Sequence, residues 1–329
     1  MKEVIEAARK ITALEIQGAT NIAMFAVKEL VKFAQRNKSL SQKEMWSQLI
    51  KVEEIFAKSR STEPGMRNGL MYILGKLQHD NSEGIFEDFP KMIEIYGSEY
   101  ENILKEAKKS IAQYGNNLIP ENLETPYVVQ THCHSSIVES ILIEAHKQGK
   151  NFIVVSSETR PFYQGRITAK ILSDAGIKVI QVVDSAMRWI ANNYNSDIII
   201  VGADAITSEG TVLNKIGSRL LALVAKEIHI PFYVASPLLK YNPGTAFGNY
   251  EKIEMRDTKE IWKDWKDAPK DLTYLNPAFE TINRVYISGV ITEAGIYPSG
   301  QVHMMFSKIY PFLHEAYRII EHGSKSDIF

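Results

Sequence analysis

Cysteine is almost absent: a single residue, Cys133, stands in a chain of 329. An intrachain disulfide is thereby excluded, and the usage suits a reducing cytosol. Glycine and proline are not enriched, so a low-complexity or fibrous chain is excluded. Neither sign of charge dominates. Lys and Arg number 38 against 39 Asp and Glu, which gives no nucleic-acid coat and no polybasic membrane patch. No apolar run approaches the roughly 20 residues that cross a bilayer. The opening "MKEVIEAARKITALEI" is a charged amphipathic helix without the apolar core of a signal peptide. Neither a P-loop nor G-x-G-x-x-G occurs, so no nucleotide cofactor is expected. There is no internal repeat. These absences describe a soluble cytoplasmic protein with no membrane or direct nucleic-acid partner.

What is present falls into two rhythms. Up to about residue 115, apolar residues recur at three- and four-residue spacing in "EVIEAARKITALEI", "NIAMFAVKELVKFAQ", "QKEMWSQLIKVEEIFAKS", "GMRNGLMYILGKLQ" and "YENILKEAKKSIAQYG". These predict helices. The loops "QGAT" and "SRSTEPG" interrupt them, and "NNLIPENLETP" supplies the turn residues of a boundary. We place a helical domain at 1–120 and an α/β domain at 121–329. In the second part, "YVVQTH", "FIVVSS", "KVIQVV", "DIIIVGAD", "FYVAS" and "RVYISGVI" predict strands, with helical patterns between the first five. One of these helical patterns, "NKIGSRLLALVAKEI", is taken to begin at Asn214 and Lys215. Strands apolar throughout suit a sheet covered on both faces, here a parallel, doubly wound, Rossmann-like one.

Ligands of such sheets sit at the carboxyl ends of the strands. Those ends are polar here: Thr131 to Ser136, Ser157 to Pro161, Asp184-Ser185, Gly202 to Asp204, and Ser236-Pro237. A core alone explains the apolar strands but not five polar exits in register. Ser136 and Glu139 fit a capping box. Cys133 then lies just outside a helix N-terminus, which favours thiolate, as would a protonated histidine nearby. A small buried thiol is the plainer alternative. A metal site is a third, but His132 and His134 have no converging partners and zinc needs three or four ligands, so no metal is expected. Asp204 follows "DIIIVGA", where desolvation would raise its pKa and suit it to general acid or base work; a turn aspartate is the alternative. Arg60, Arg67, Arg160, Arg166, Lys215 and Lys240 sit in or near predicted loops. Lys215 at a helix start would be disfavoured by the dipole unless an anion is bound.

The words "SRSTEPGMRN", "THCHS", "ETRPFYQGRITAK", "VVDSA", "GADAI", "NKIGS", "IEMRD" and "NPAFE" run in order from about Arg60 to Glu280. With them the chain resembles the family that joins the eIF2B α/β/δ regulatory subunits to the sugar-phosphate isomerases for methylthioribose 1-phosphate and ribose 1,5-bisphosphate. The archaeal isomerases of ribose 1,5-bisphosphate are the nearest likeness. The resemblance implies a helical domain on a Rossmann-like domain, assembled as homo-oligomers, either dimers or hexamers built of dimers. It implies aldose–ketose isomerisation of ribose 1,5-bisphosphate to ribulose 1,5-bisphosphate in AMP and nucleoside breakdown. AMP is a candidate activator, and no cofactor is required. Cys133 and Asp204 occupy the catalytic positions, as proton acceptor and donor. Phosphate contacts are implied for Gln17, Gly18, Ala19, Thr20, Arg60, Ser135, Ser136, Ile137, Asn214, Lys215 and Lys240. Two positions depart from the pattern: Gln17 stands where the isomerases carry arginine, and Ser136 where the archaeal ones often carry a basic residue. A pentose 1-phosphate isomerase of other specificity, or a non-enzymatic regulator that binds a nucleotide or sugar phosphate, are the alternatives.

Overall fold

The computed structural model describes residues 1–60, 62–82, 88–262, 269, 271–313 and 317. The chain forms two compact units. One comprises Met1–Glu106, Leu238–Glu251 and Val302–Phe329; the other comprises Ala107–Pro237 and Lys252–Gln301. The turn-rich stretch before Tyr127 lies within the second unit.

The first unit is helical. Its elements are α1 (Lys2–Thr12), α2 (Ala19–Arg36), α3 (Gln42–Ser59), α4 (Pro64–Ser82), the first part of α5 (Phe89–Asn116), and α10 (Val302–Ile309). Residues buried on α3 are Met45, Trp46, Leu49, Ile50, Val52, Glu53 and Phe56, the spacing that puts one face inward. Its start is fixed by a capping box: Ser41 Oγ accepts the Glu44 N–H, and the Glu44 carboxylate accepts the Ser41 N–H. Helices α2 and α4 form the main contact of the unit. Gly69 on α4 admits Tyr100 so closely that a Cβ there would lie 2.8 Å from the ring. The Tyr100 hydroxyl donates to Gly65 O at 2.9 Å. Buried Asn68 donates to Leu239 O and Tyr241 O, at 2.6 and 2.8 Å, and so pins the segment that carries Lys240.

The second unit is built on a seven-stranded sheet. Its strands are β1 (Tyr127–Thr131), β2 (Phe152–Ser157), β3 (Val179–Val182), β4 (Ile198–Val201), β7 (Phe232–Ala235), β9 (Gly289–Thr292) and β10 (Gly295–Tyr297). The order is β10-β9-β7-β4-β1-β2-β3, parallel except for the terminal β9–β10 hairpin. Helices α6 (Ser136–Lys147), α7 (Gln164–Asp174), α8 (Met187–Asn193) and α9 (Ser218–Glu227) follow the strands. The alternation of side chains explains the unbroken apolar runs. Val129, Val154, Ile198 and Ile200 share one core cluster with Ile137, Val138, Ile141 and Leu142 of α6 and Leu172 of α7. Val128, Ile153 and Val155 point the other way and cluster with Ile190 of α8.

A second, antiparallel sheet was not expected from the sequence. It joins β5 (Ala205–Ile206), β6 (Val212–Lys215) and β8 (Phe279–Ile282) in the order β5-β6-β8. Asn214 and Lys215 therefore end a strand, and the helix begins only at Ser218. The reading of "RVYISGVI" as one strand is corrected too. Arg284–Tyr286 is a short 3-10 turn, and the strand starts at Gly289. No helix among the described residues is long and apolar enough to cross a membrane.

Candidate active site

The chain runs outward from β1 through β2 to β3, then returns to lay β4 on the other side of β1 and continues through β7 to β9. The strand order thus reverses between β1 and β4, the place where doubly wound sheets bind ligands. Cys133 follows β1 and Asp204 follows β4. Counting on from Gln130↔Ile199 brings Cys133 level with Gly202. Gly202 is needed there, because a Cβ would lie 2.7 Å from Ser135 Oγ. The two turns are therefore in contact.

The charges of Lys215, Asp204 and Asp184 all act on the Cys133 thiol. Burial is the largest influence and pushes the thiol up to about 11. Lys215 and the His134 backbone N–H pull the other way, while Asp204 and Asp184 add to the rise. The expectation of a thiolate at the mouth of a helix does not hold in the resting protein, because desolvation outweighs Lys215 and the His134 N–H. His132 does not supply a positive charge either. Burial holds it below the ordinary imidazole range. Its Nε2 lies 2.7 Å from Ile216 O and must carry the proton to donate there, leaving Nδ1 to accept from Ser157 Oγ at 2.5 Å. His132 is a neutral tie between β1, β2 and the turn before α9. That tie needs Gly217, with φ of 102° and no room for a Cβ against the imidazole.

The cap of α6 also differs from expectation. Ser135, not Ser136, is the N-cap, with its Oγ accepting the Val138 N–H at 3.4 Å. Glu139 does not reach back to the cap. Its Oε1 accepts from Thr168 Oγ1 at 2.8 Å and meets His134 Nδ1 at 2.8 Å. Ser136 and Ile137 open the helix.

Lys215 is buried, with its ammonium 4.6 Å from the centre of the Phe279 ring. Among the described residues no carboxylate forms an ion pair with it. The N-terminus of α9 is already filled: Glu280 accepts the N–H groups of Gly217 and Arg219, at 2.6 and 3.0 Å. Asn214 is buried and donates to Ser218 Oγ at 2.9 Å. An anion at this turn would therefore meet the Lys215 ammonium, while Asn214 holds the turn. Asp204 is half-buried and joins the small sheet through its N–H, which donates to Leu213 O at 2.9 Å.

The remaining predicted residues belong to the helical unit. Gln17 and Gly18 are exposed, and the Gln17 amide donates to Leu14 O at 3.1 Å. Ala19 and Thr20 begin α2 behind Gly18, whose φ is 85°. Arg60 lies 3.5 Å from the buried Glu63 carboxylate. Lys240 ends a short 3-10 turn. Of the other cations, Arg166 pairs with Glu158, Arg67 with Glu251, and Arg160 donates to Tyr163 and Ile261.

The family model for the initiation factor 2 subunits (IF-2B) matches residues 15–299. The chain belongs to the initiation factor 2 subunit family. Within the family, it is 36% identical to the ribose 1,5-bisphosphate isomerase of Archaeoglobus fulgidus over 94% of each chain. Among solved structures, it is similar to a translation initiation factor eIF-2B of Pyrococcus horikoshii, with a TM-score of 0.75 and 27% identity over 91% of this chain and 98% of that one. The 5-methylthioribose 1-phosphate isomerase of the same organism gives a TM-score of 0.73 and 28% identity over 93% and 88%. The α/β fold with a helical part is thus the family's own.

Sequence reasoning treated Thr159 and Asp184 only as parts of polar strand ends and gave neither a role. Asp184 was visible as the one acidic residue in "VVDSA". The polar exit Ser157 to Pro161 contains Thr159, but nothing in the sequence marks its left-handed backbone.

Proposed function

We propose that the protein is an aldose–ketose isomerase that converts ribose 1,5-bisphosphate to ribulose 1,5-bisphosphate, with Cys133 and Asp204 as its proton carriers. The observation that carries this reading is that the lone thiol and Asp204 leave adjacent strands at the reversal of strand order, with the charge of buried Lys215 acting on the sulfur. The Archaeoglobus relative supports the choice of substrate.

In an aldose 1-phosphate the anomeric oxygen carries phosphate, and the sugar is locked as a ring. Opening needs a proton at the ring oxygen. A proton then leaves C2, another is delivered to C1, and the C2 hydroxyl gives up its own to become the ketone. Two protons enter and two leave. We assign the acid at the ring oxygen to Asp204 and the base at C2 to Cys133. Because the resting sulfur is protonated, it must first lose its proton. Two carboxylates act on it, Asp204 and Asp184. Asp184 is engaged with the N–H groups of Thr159 and Arg160, so we assign the proton to Asp204, and one transfer between them yields both the thiolate base and the carboxylic acid. Lys215 favours the thiolate and offers a charged hydrogen bond to phosphate. The part of Gln17, Gly18, Ala19, Thr20, Arg60, Ser135, Ser136, Ile137 and Lys240 in phosphate binding rests on the family resemblance.

A second reading, methylthioribose 1-phosphate as substrate, is favoured by Ser136, which stands where the archaeal ribose 1,5-bisphosphate isomerases often carry a basic residue. Purified protein should be given each sugar phosphate separately, with EDTA and without nicotinamide, and the ketose product followed. Conversion of ribose 1,5-bisphosphate, undiminished by EDTA, is expected. Preferential turnover of methylthioribose 1-phosphate would assign the second substrate. Well-folded protein that converts neither, and instead binds a translation factor, would move the chain to the regulatory branch. We further place the reaction in the cytosol, in AMP breakdown, with AMP as activator and a homo-oligomeric enzyme.

A further inference from the structure

Three elements converge on the turn that carries the thiol. Cys133 has φ of 67° and Thr159 has φ of 60°, both left-handed. This conformation is costly for any residue with a Cβ, and most of all for a β-branched one. Such residues persist only where their surroundings over-determine them. Here the two strained residues are joined: the Cys133 N–H donates to Thr159 Oγ1 at 2.9 Å. Thr159 in turn is held by Asp184, the second residue after β3. Asp184 Oδ1 accepts the Thr159 N–H at 2.8 Å, and Oδ2 accepts the Arg160 N–H at 2.7 Å. Both oxygens of one carboxylate are spent on the turn that fixes Cys133.

We propose that Asp184 is a positioning residue for Cys133: through Thr159 it fixes the backbone of the thiol-bearing turn. The proposal deepens the isomerase reading and rests on it for its kinetic arm. The charged groups that act on Cys133 come from three turns: Lys215 at the end of β6, Asp204 after β4, and Asp184 after β3. Neighbouring His132 is neutral, and His134 is engaged with Glu139. Asp184 is the member of this set that touches the turn by hydrogen bonds.

Because Cys133 is the sole thiol, alkylation by iodoacetamide reports on it alone. Thr159→Val keeps the branched shape and removes the acceptor of the Cys133 N–H. It is expected to lower kcat about tenfold with KM within about twofold, the pattern of a displaced reacting group. Thr159→Ser retains the hydroxyl and should restore most of the rate. Asp184→Asn removes the charge and one of two acceptors. It should lower kcat and also move the pH profile of alkylation down by roughly half a unit or more. Wild-type titration and wild-type kcat in Asp184→Asn would overturn the proposal, as would Thr159→Ser being as impaired as Thr159→Val. If Asp184→Asn fails to fold, the pair at Thr159 decides alone. The titration needs no substrate, so a wild-type protein inactive on ribose 1,5-bisphosphate would count against the function while the alkylation profile still decides Asp184.

Discussion

Cys133 holds its proton tightly. The partly buried thiol is pushed up from the ordinary range to about 11, so near neutral pH the sulfur is protonated. A raised thiol pKa means the fold favours the neutral form. Alkylation of the folded protein should therefore keep rising with pH to about 11, whereas in urea it should level off near the ordinary thiol value. A plateau below pH 9 in the folded protein would contradict the burial. The sign for stability follows. The neutral thiol's contribution is complete below about pH 9 and is lost as pH climbs through about 11. Tyr72 and Tyr100 are also raised and add to any alkaline loss, so the difference between wild type and Cys133→Ser isolates the thiol. At this scale the sequence was partly legible. The types and places of Cys133 and Asp204 could be read from "THCHS" and "GADAI". The left-handed φ of Cys133 and Thr159 and the true partner of Glu139 could not, because each depends on a residue brought in by another strand or helix.

Elements meet most closely where a glycine permits it, and two glycines separate two causes of intolerance. Gly165, in the first turn of α7, packs on the end of β2 so tightly that a Cβ would lie 1.7 Å from Ser157 O. Gly149, after α6, has φ of 74° but nothing within 4 Å of a Cβ. Gly149→Ala should cost only about 1–2 kcal/mol, the price of the left-handed conformation. Gly165→Ala must push α7 off β2 and should cost ~3 kcal/mol or more, at the upper end of overpacking penalties. Chemical denaturation measures both, and equal losses would show that the close approach of α7 to β2 does not matter. The strands of the main sheet were readable because each is a local apolar run. The small sheet was not. β5 has two residues, and β6 pairs with β8 across the gap from Lys215 to Phe279, a contact no local pattern announces. The apolar period of "NKIGSRLLALVAKEI" drew the helix start back to Asn214. The glycine that breaks it, Gly217, was the available signal.

Across the whole molecule, the alternation of strand and helix from Tyr127 to Phe232 was enough to predict a doubly wound sheet, and the polar strand exits marked the end at which Cys133 and Asp204 leave it. The strand order was not legible, since hydrophobic runs do not say which neighbour each will take. It is that order, with its reversal between β1 and β4, that makes Cys133 and Asp204 adjacent exits. The single cut at 120 read from turn residues likewise could not reveal that the helical unit collects Leu238–Glu251 and the stretch from Val302 as well. The central claim is that Cys133 and Asp204 exchange the protons of an isomerisation. Its most direct test is the turnover of ribose 1,5-bisphosphate by Cys133→Ser and Asp204→Asn, each nearly isosteric with the native side chain and checked for an unchanged thermal midpoint. Both folded variants should lose at least about a hundredfold in kcat, the scale of a lost acid–base group. Near-normal turnover in either variant would contradict the account.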